Sequence, residues 1–257
     1  MIKILIDTHC HLEKKDYSNL DEIIHHMDGN IMIASADKLE SSIEVDELTK
    51  KYNNIYGTIG FHPSELDNFN EKNLKHLEDL LQNKKIVGIG EIGLDYHYGK
   101  EDKEKQIDAF IKQIELAIKY NLPIVIHSRD AASDTLEILK KYPNVKIDMH
   151  CYGYSLEIAK ELLKINSNIK FGIGGILTFK NSKKIKEVVE YLDMKNILLE
   201  TDSPFLAPEP IRGTKNEPYN TKYIAEYLAN LKNISIEEVE NITSENAIIQ
   251  FDLKLKK

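Results

Sequence analysis

Residues 102–130, DKEKQIDAFIKQIELAIKYNLPIVIHSRD, contain the repeating unit of the fold. Ile107, Phe110, Ile111, Ile114 and Ile118 recur at helical spacing with charges on the opposite face, which predicts an amphipathic helix over Asp102–Tyr120. Asn121, Leu122 and Pro123 stop that helix and open an apolar, β-branched run, Pro123–His127, that ends on an imidazole. A helix feeding a buried strand that terminates in a reactive side chain is the pattern to look for elsewhere.

It recurs along the whole chain. Strands are predicted at Ile2–Asp7, Asn30–Ser35, Ile55–Gly60, Ile86–Glu91, Pro123–His127, Val145–His150, Ile169–Gly174 and Asn196–Thr201. These are nearly continuous apolar runs, as expected of parallel strands covered on both faces. Helical patterns lie between them: Glu71–Leu81 carries Leu74, Leu77, Leu80 and Leu81, and Ser235 with Glu238 predicts a capping box for a last helix. Eight strands alternating with helices over 257 residues predict a single α/β domain spanning residues 1–257, a (β/α)8 barrel of the TIM type with its site at the carboxyl ends of the strands. A doubly wound sheet would more often carry a glycine-rich phosphate loop after its first strand, where this chain has DTHCH. Gly172, Gly174 and Gly175 lack dinucleotide spacing and predict a place where backbone passes close to another group, whether protein or substrate.

The ionisable residues concentrate at predicted strand ends. His9 and His11 follow the first strand and His62 the third; Glu91 ends the fourth; His127 and His150 close the fifth and sixth; Asp202 follows the eighth. In a barrel these ends open onto one face. Imidazole mixed with carboxylate suits Zn, Mn, Fe or Co, whereas carboxylate and water alone suit Mg or Ca. Even with His62 set aside, the four remaining histidines and two carboxylates exceed the needs of one ion. Two ions about 3.5–4 Å apart would use them all, and a water shared between them is a hydroxide-like nucleophile near neutral pH.

The segments DTHCHL (7–12), GFHP (60–63), VGIGEIGLDY (87–96), PIVIHSRDA (123–131), MHCYGY (149–154), GGILTFK (174–180), LLETDSPFLAP (198–208) and RGTKNEPYN (212–220) together resemble the TatD family of metal-dependent deoxyribonucleases, within the amidohydrolase-like barrel enzymes. They run in family order over nearly the whole chain. The resemblance implies two divalent ions, Mg, Mn or Zn. His9 and His11 would hold one, His127 and His150 the other, Glu91 would bridge them, and Asp202 would contact the first and accept a proton from the attacking water. Glu91 stands where related amidohydrolases often use a modified lysine. His62 matches a family histidine at the rim and is assigned to substrate contact. HCYGY and GGILTFK depart from the more usual HCFSG-like and SG patterns, which bears on the substrate wall and not on the ligands. The implied activity is 3′-to-5′ exonucleolytic hydrolysis of DNA phosphodiester bonds. The alternative keeps the two-metal site and cleaves a small amide, ester or lactone.

Composition narrows the substrate. A net charge of −8 argues against bulk electrostatic binding of long duplex DNA and favours single strands or strand ends. The lysine-rich chain has only two arginines, Arg129 and Arg212, both predicted near the mouth, where a planar fork suits phosphate. No apolar run approaches the roughly 20 residues of a membrane span. The N-terminus lacks a secretory h-region, so a cytoplasmic protein without an obligate protein partner is expected.

The remaining reactive residues have plainer expectations. Cys10 should point away from its flanking histidines, and Cys10 and Cys151 read as packed thiols. Asp95 reads as a hydrogen-bond acceptor behind a ligand. His25, His26 and His76 fall on amphipathic helices and His97 in a loop; Lys254, Lys256 and Lys257 read as a solvated end.

Overall fold

Apolar runs too short for helices become strands, and the computed structural model of the chain, which describes residues 4–97, 99 and 102–255, shows eight of them. The start of the expected first strand, Ile2, and the terminal Lys256 and Lys257 lie outside the described residues. The strands are hydrogen-bonded in sequence order in one eight-stranded sheet. This is the parallel (β/α)8 barrel that the alternation predicts. Among the described residues, no helix is long and apolar enough to cross a membrane.

The chain divides into two compact units. One comprises Met1–Ala34, Cys151–Ala159 and Lys170–Lys257. It contains β1 (Ile6–Cys10), α1 (Leu20–His26), nearly all of β2 (Ile31–Ser35), β7 (Lys170–Ile173), α7 (Lys183–Tyr191), β8 (Ile197–Leu199), α8 (Thr221–Lys232) and α9 (Ile236–Phe251). β1 pairs in parallel with β2, β7 pairs with β8, and Cys10 bridges Ser203 just past β8. Ser235 caps α9 by accepting the Glu238 N–H at 3.1 Å.

The other unit, Ser35–His150 with Lys160–Ile169, contains α2 (Leu39–Lys51), β3 (Ile55–Ile59), α3 (Glu71–Leu80), β4 (Ile86–Asp95), α4 (Lys103–Tyr120), β5 (Ile124–Arg129), α5 (Ala132–Leu139) and β6 (Ile147–Met149). The helix α6 (Leu156–Ile165) is shared between the two stretches. β3 through β6 pair in parallel in order.

Helix α4 ends as its sequence predicts: Asn121 turns into the left-handed region (φ 54°), and the Leu122 N–H donates to Ala117 O at 2.9 Å. Its buried face is displaced from the expected stripe. Phe110 and Ile114 are buried, Ile118 is exposed, and two glutamines, Gln106 and Gln113, join the interior face. Those amides are tolerated because each finds two backbone partners, described below.

Several strand boundaries differ from expectation: β5 runs on to Arg129, so His127 lies within it rather than closing it, and β6 ends at Met149, one residue before His150. β1 runs Ile6–Cys10, so His9 lies within the strand rather than after it. Hydropathy misses it because Thr8 and His9 are polar yet fully buried, each with a partner, as is Asp7 before them. β4 continues to Asp95, so Glu91 sits mid-strand rather than at its end. The pairing register with β5 shifts between Ile89 and Ile92, then resumes with Gly93 opposite His127 and Asp95 opposite Arg129. Gly93 permits that close pairing: its φ is +142°, and a Cβ there would stand 1.9 Å from His127 O.

Candidate metal centre

In the first unit, β1 delivers His9, the residue just past its end is His11, and the segment after β8 delivers Asp202. Backbone bonds lock these together: the Asp202 N–H donates to His9 O at 2.9 Å, and the His11 N–H donates to Ser203 O at 2.7 Å. Asp202 itself takes a left-handed conformation (φ 54°), which Asp adopts more readily than most residues. His9 Nε2 lies 3.4 Å from His11 Nε2. Asp202 Oδ1 lies 3.5 Å from His11 Nε2 and 4.0 Å from His9 Nε2. Behind them the Asp7 carboxylate, fully buried, accepts the Thr201 N–H at 2.9 Å, the Thr201 hydroxyl at 2.6 Å and the His9 N–H at 3.2 Å. Burial pushes the Asp7 carboxyl up to about 8 against those donors.

In the second unit, Glu91 is the hub. Its Oε1 stands 2.9 Å from His127 Nδ1, 3.6 Å from His62 Nε2 and 3.7 Å from His150 Nε2. His62, Glu91 and His127 bring two imidazole nitrogens and a carboxylate oxygen within 4.8 Å of one another. The far side of His127 is also held, with Nε2 3.0 Å from Asp95 Oδ2. Burial works to lower the His127 pKa, but hydrogen bonds to Asp95 and Glu91 outweigh it and raise the imidazole to about 9.

These distances suit metal ligation. Imidazole and carboxylate atoms bound about 2.0–2.2 Å from one ion stand roughly 3–4 Å apart, depending on the angle. The donor set is mixed nitrogen and oxygen, as borderline divalent ions prefer. His127 has the arrangement of a metal-bound histidine, with one ring nitrogen facing the ligand group and the other facing an orienting carboxylate. Asp95 therefore occupies the supporting position its sequence suggested.

His62 differs from the other imidazoles. The Ser64 N–H donates to its Nδ1 at 3.1 Å, so the neutral ring carries its proton on Nε2, the nitrogen that faces Glu91. As placed, His62 is a hydrogen-bond donor into the group rather than a lone-pair donor.

The two glutamines of α4 had no functional reading in the sequence. Gln113 accepts the Phe61 N–H at 2.7 Å and donates to Phe61 O at 3.1 Å, gripping the backbone beside His62. Gln106 does the same at Asp95. The signal available was two amides seven residues apart on a helix face otherwise lined with Phe110 and Ile114. Glu200 was also missed. It is fully buried, its Oε1 accepts the Cys151 N–H at 2.7 Å, and a Cβ at Gly172 would meet its Oε2 at 2.1 Å. The glycine cluster thus makes room for protein groups, Glu200 at Gly172 and Leu206 O at Gly175.

The other candidates separate. Burial works to raise the Asp95 pKa, but the hydrogen bond with His127 leads the effects that lower it, with a smaller contribution from Arg129, which ends β5 opposite Asp95. Arg212 lies with its guanidinium carbon 4.2 Å from the centre of the Phe179 ring. Cys10 is fully buried with Sγ directed to Ile33 O at 3.6 Å, away from the ligand group. His97 pairs with Asp130 at 3.0 Å in its loop.

Known proteins match this chain along its length. The family model described as TatD related DNase matches residues 6–252. A metal-dependent hydrolase of Bacillus subtilis, YabD, is 42% identical over 95% of this chain and 97% of its own. A metal-dependent hydrolase of Escherichia coli K12, YcfH, is 34% identical over 94% of this chain and 93% of its own. Among solved structures, the TatD homologue YjjV of Escherichia coli K12 superposes with a TM-score of 0.89 at 27% identity, covering 99% of this chain and 100% of that one. The chain belongs to the family of TatD-related DNases and is a metal-dependent hydrolase.

Proposed function

We propose that this hydrolase cleaves phosphodiester bonds of DNA, removing nucleotides from the 3′ end of single strands or frayed ends, as a single-domain enzyme of the cytoplasm. The observation that carries this reading is the match of residues 6–252 to the TatD-related DNase model, an interval that includes every residue of both ligand groups. His9, His11 and Asp202 would hold one divalent ion, His127 and His150 a second, with Glu91 shared between them. Ions bound there would supply Lewis-acid polarisation of the phosphate and a lowered pKa for attacking water.

The protein residues supply position and proton transfer. Asp202 accepts the proton of the attacking water as its oxygen adds to phosphorus; the bond to the leaving oxygen breaks, and that oxygen takes up a proton from solvent to leave as the alcohol. His62 presents its Nε2–H to a phosphate oxygen. Arg129 and Arg212 would grip non-bridging or neighbouring phosphate oxygens with their planar forks. Asp95 keeps the His127 ring oriented throughout.

The test is hydrolysis of 5′-labelled single-stranded oligonucleotides with Mg, Mn or Zn, beside a panel of small amides, esters and lactones. Stepwise shortening from the 3′ end supports the reading. Turnover of an amide, ester or lactone with no phosphodiesterase activity under any of the three metals overturns it.

A further inference from the structure

The segment after β8 carries a large apolar side chain where burial would be expected: Phe205 is 58% exposed. A single exposed aromatic needs no explanation by itself. Three observations set this one apart. Its ring meets the ring of His11 in an edge-to-face arrangement, with centroids 6.1 Å apart and planes at 69°, which places this exposed phenyl beside the ligand group. Its backbone is tied on both sides: the Phe205 N–H donates to Asp202 O at 2.9 Å, and Phe205 O accepts from Asn216 Nδ2 at 2.7 Å. Asn216 is fully buried and also holds Thr201 O at 3.0 Å. The next residue, Leu206, lies with its carbonyl against Gly175 so closely that a Cβ there would stand 2.1 Å away.

An exposed ring on an immobilised backbone loses little conformational entropy when something flat covers it. Every nucleobase offers a flat π-face, and stacking on an aromatic side chain tolerates any sequence. We propose that Phe205 is the stacking platform for the nucleobase attached to the scissile phosphate, a role that rests on the nuclease reading and specifies its substrate class. Farther along the same segment, the Glu209 N–H is held by Thr178 Oγ1 at 2.9 Å and Arg212 lies over Phe179, which offers a cation to the next phosphate along the strand.

The experiment compares wild type, Phe205→Ala, Phe205→Leu and Phe205→Trp on two oligonucleotides, one ending in a normal 3′ nucleotide and one ending in an abasic residue. The quantity read is the ratio of KM for the abasic end to KM for the normal end. Alanine and leucine should reduce that ratio about 5- to 150-fold, the range that base–aromatic stacking supports, and tryptophan should preserve it. A second measurement is independent of turnover. An oligonucleotide ending in 2-aminopurine through a phosphorothioate linkage should lose fluorescence on binding wild type and Phe205→Trp, and keep it with the alanine and leucine variants. Equal ratios and equal quenching across all four proteins overturn the platform while leaving the nuclease reading intact. Absence of wild-type cleavage of either oligonucleotide overturns both.

Discussion

Gln106 holds Asp95 by both backbone groups: its Oε1 accepts the Asp95 N–H at 2.8 Å and its Nε2 donates to Asp95 O at 2.9 Å. Asp95 in turn faces His127 Nε2, so a glutamine on α4 fixes the orientation of a ligand candidate on β5. Gln106→Leu removes the clamp and leaves two strand groups without their partner. The expected cost is about 1–3 kcal/mol in urea unfolding, with weaker metal binding at unchanged ligand identity. Unaltered metal affinity in titration calorimetry would show that Asp95 keeps its place without Gln106.

Asp95→Asn tests the carboxylate itself. Losing the charged acceptor behind His127 should weaken divalent-ion binding by about 10- to 100-fold while leaving the fold intact. Competition with a fluorescent chelator, alongside a thermal melt, reads both quantities.

Glu91→Gln tests the carboxylate proposed to be shared by both ions, and Asp202→Asn the one proposed for the first ion alone. Each should lower the metal content of dialysed protein, measured by elemental analysis, and each should reduce hydrolysis by at least about 100-fold, in the range of removing a strong transition-state contact. Full hydrolytic rate in both variants would mean that the reaction uses other residues.

Gly93→Ala probes the packing of β4 on β5. The new Cβ meets His127 O at 1.9 Å, and the φ of +142° disfavours any side chain. Overpacking and backbone strain each cost about 1–3 kcal/mol, a large share of a domain's stability of roughly 5–15 kcal/mol. The expected result is a lower melting temperature or loss of soluble protein; a melting temperature equal to wild type would contradict the pairing.

Glu78 predicts an acid limb of stability remote from the ligand groups. Hydrogen bonds from Lys119, Tyr120 and Lys75 lower its carboxyl from 4.5 to about 2. A pKa depressed on folding stabilises the folded state fully above pH 4.5, and that contribution fades as pH falls toward 2. The melting temperature of wild type should therefore exceed that of Glu78→Gln at neutral pH, and the gap should close between about pH 5 and pH 2. A gap independent of pH would assign the effect to shape rather than charge.

Local chemistry accounts for what could be read directly. The alternation of amphipathic helices with short buried runs specified the barrel, because periodicity and strand length are properties of neighbouring residues. His9, His11, Glu91, His127, His150 and Asp202 were recognisable as ligand candidates because imidazoles and carboxylates collected beside those runs. Tertiary contact decided the rest. β1 extends past Asp7 over Thr8 and His9 because Leu199 and His11 satisfy their polar groups while Thr201 holds Asp7, and those partners are distant in sequence or beyond the predicted strand. Glu91 falls mid-strand because the ladder with β5 resumes after a register shift. Gln106 and Gln113 acquire a role only when α4 is laid against the ends of β4 and β3, where backbone groups need partners. Periodicity specifies which side chains face inward; only the packed chain specifies which polar group each of them meets.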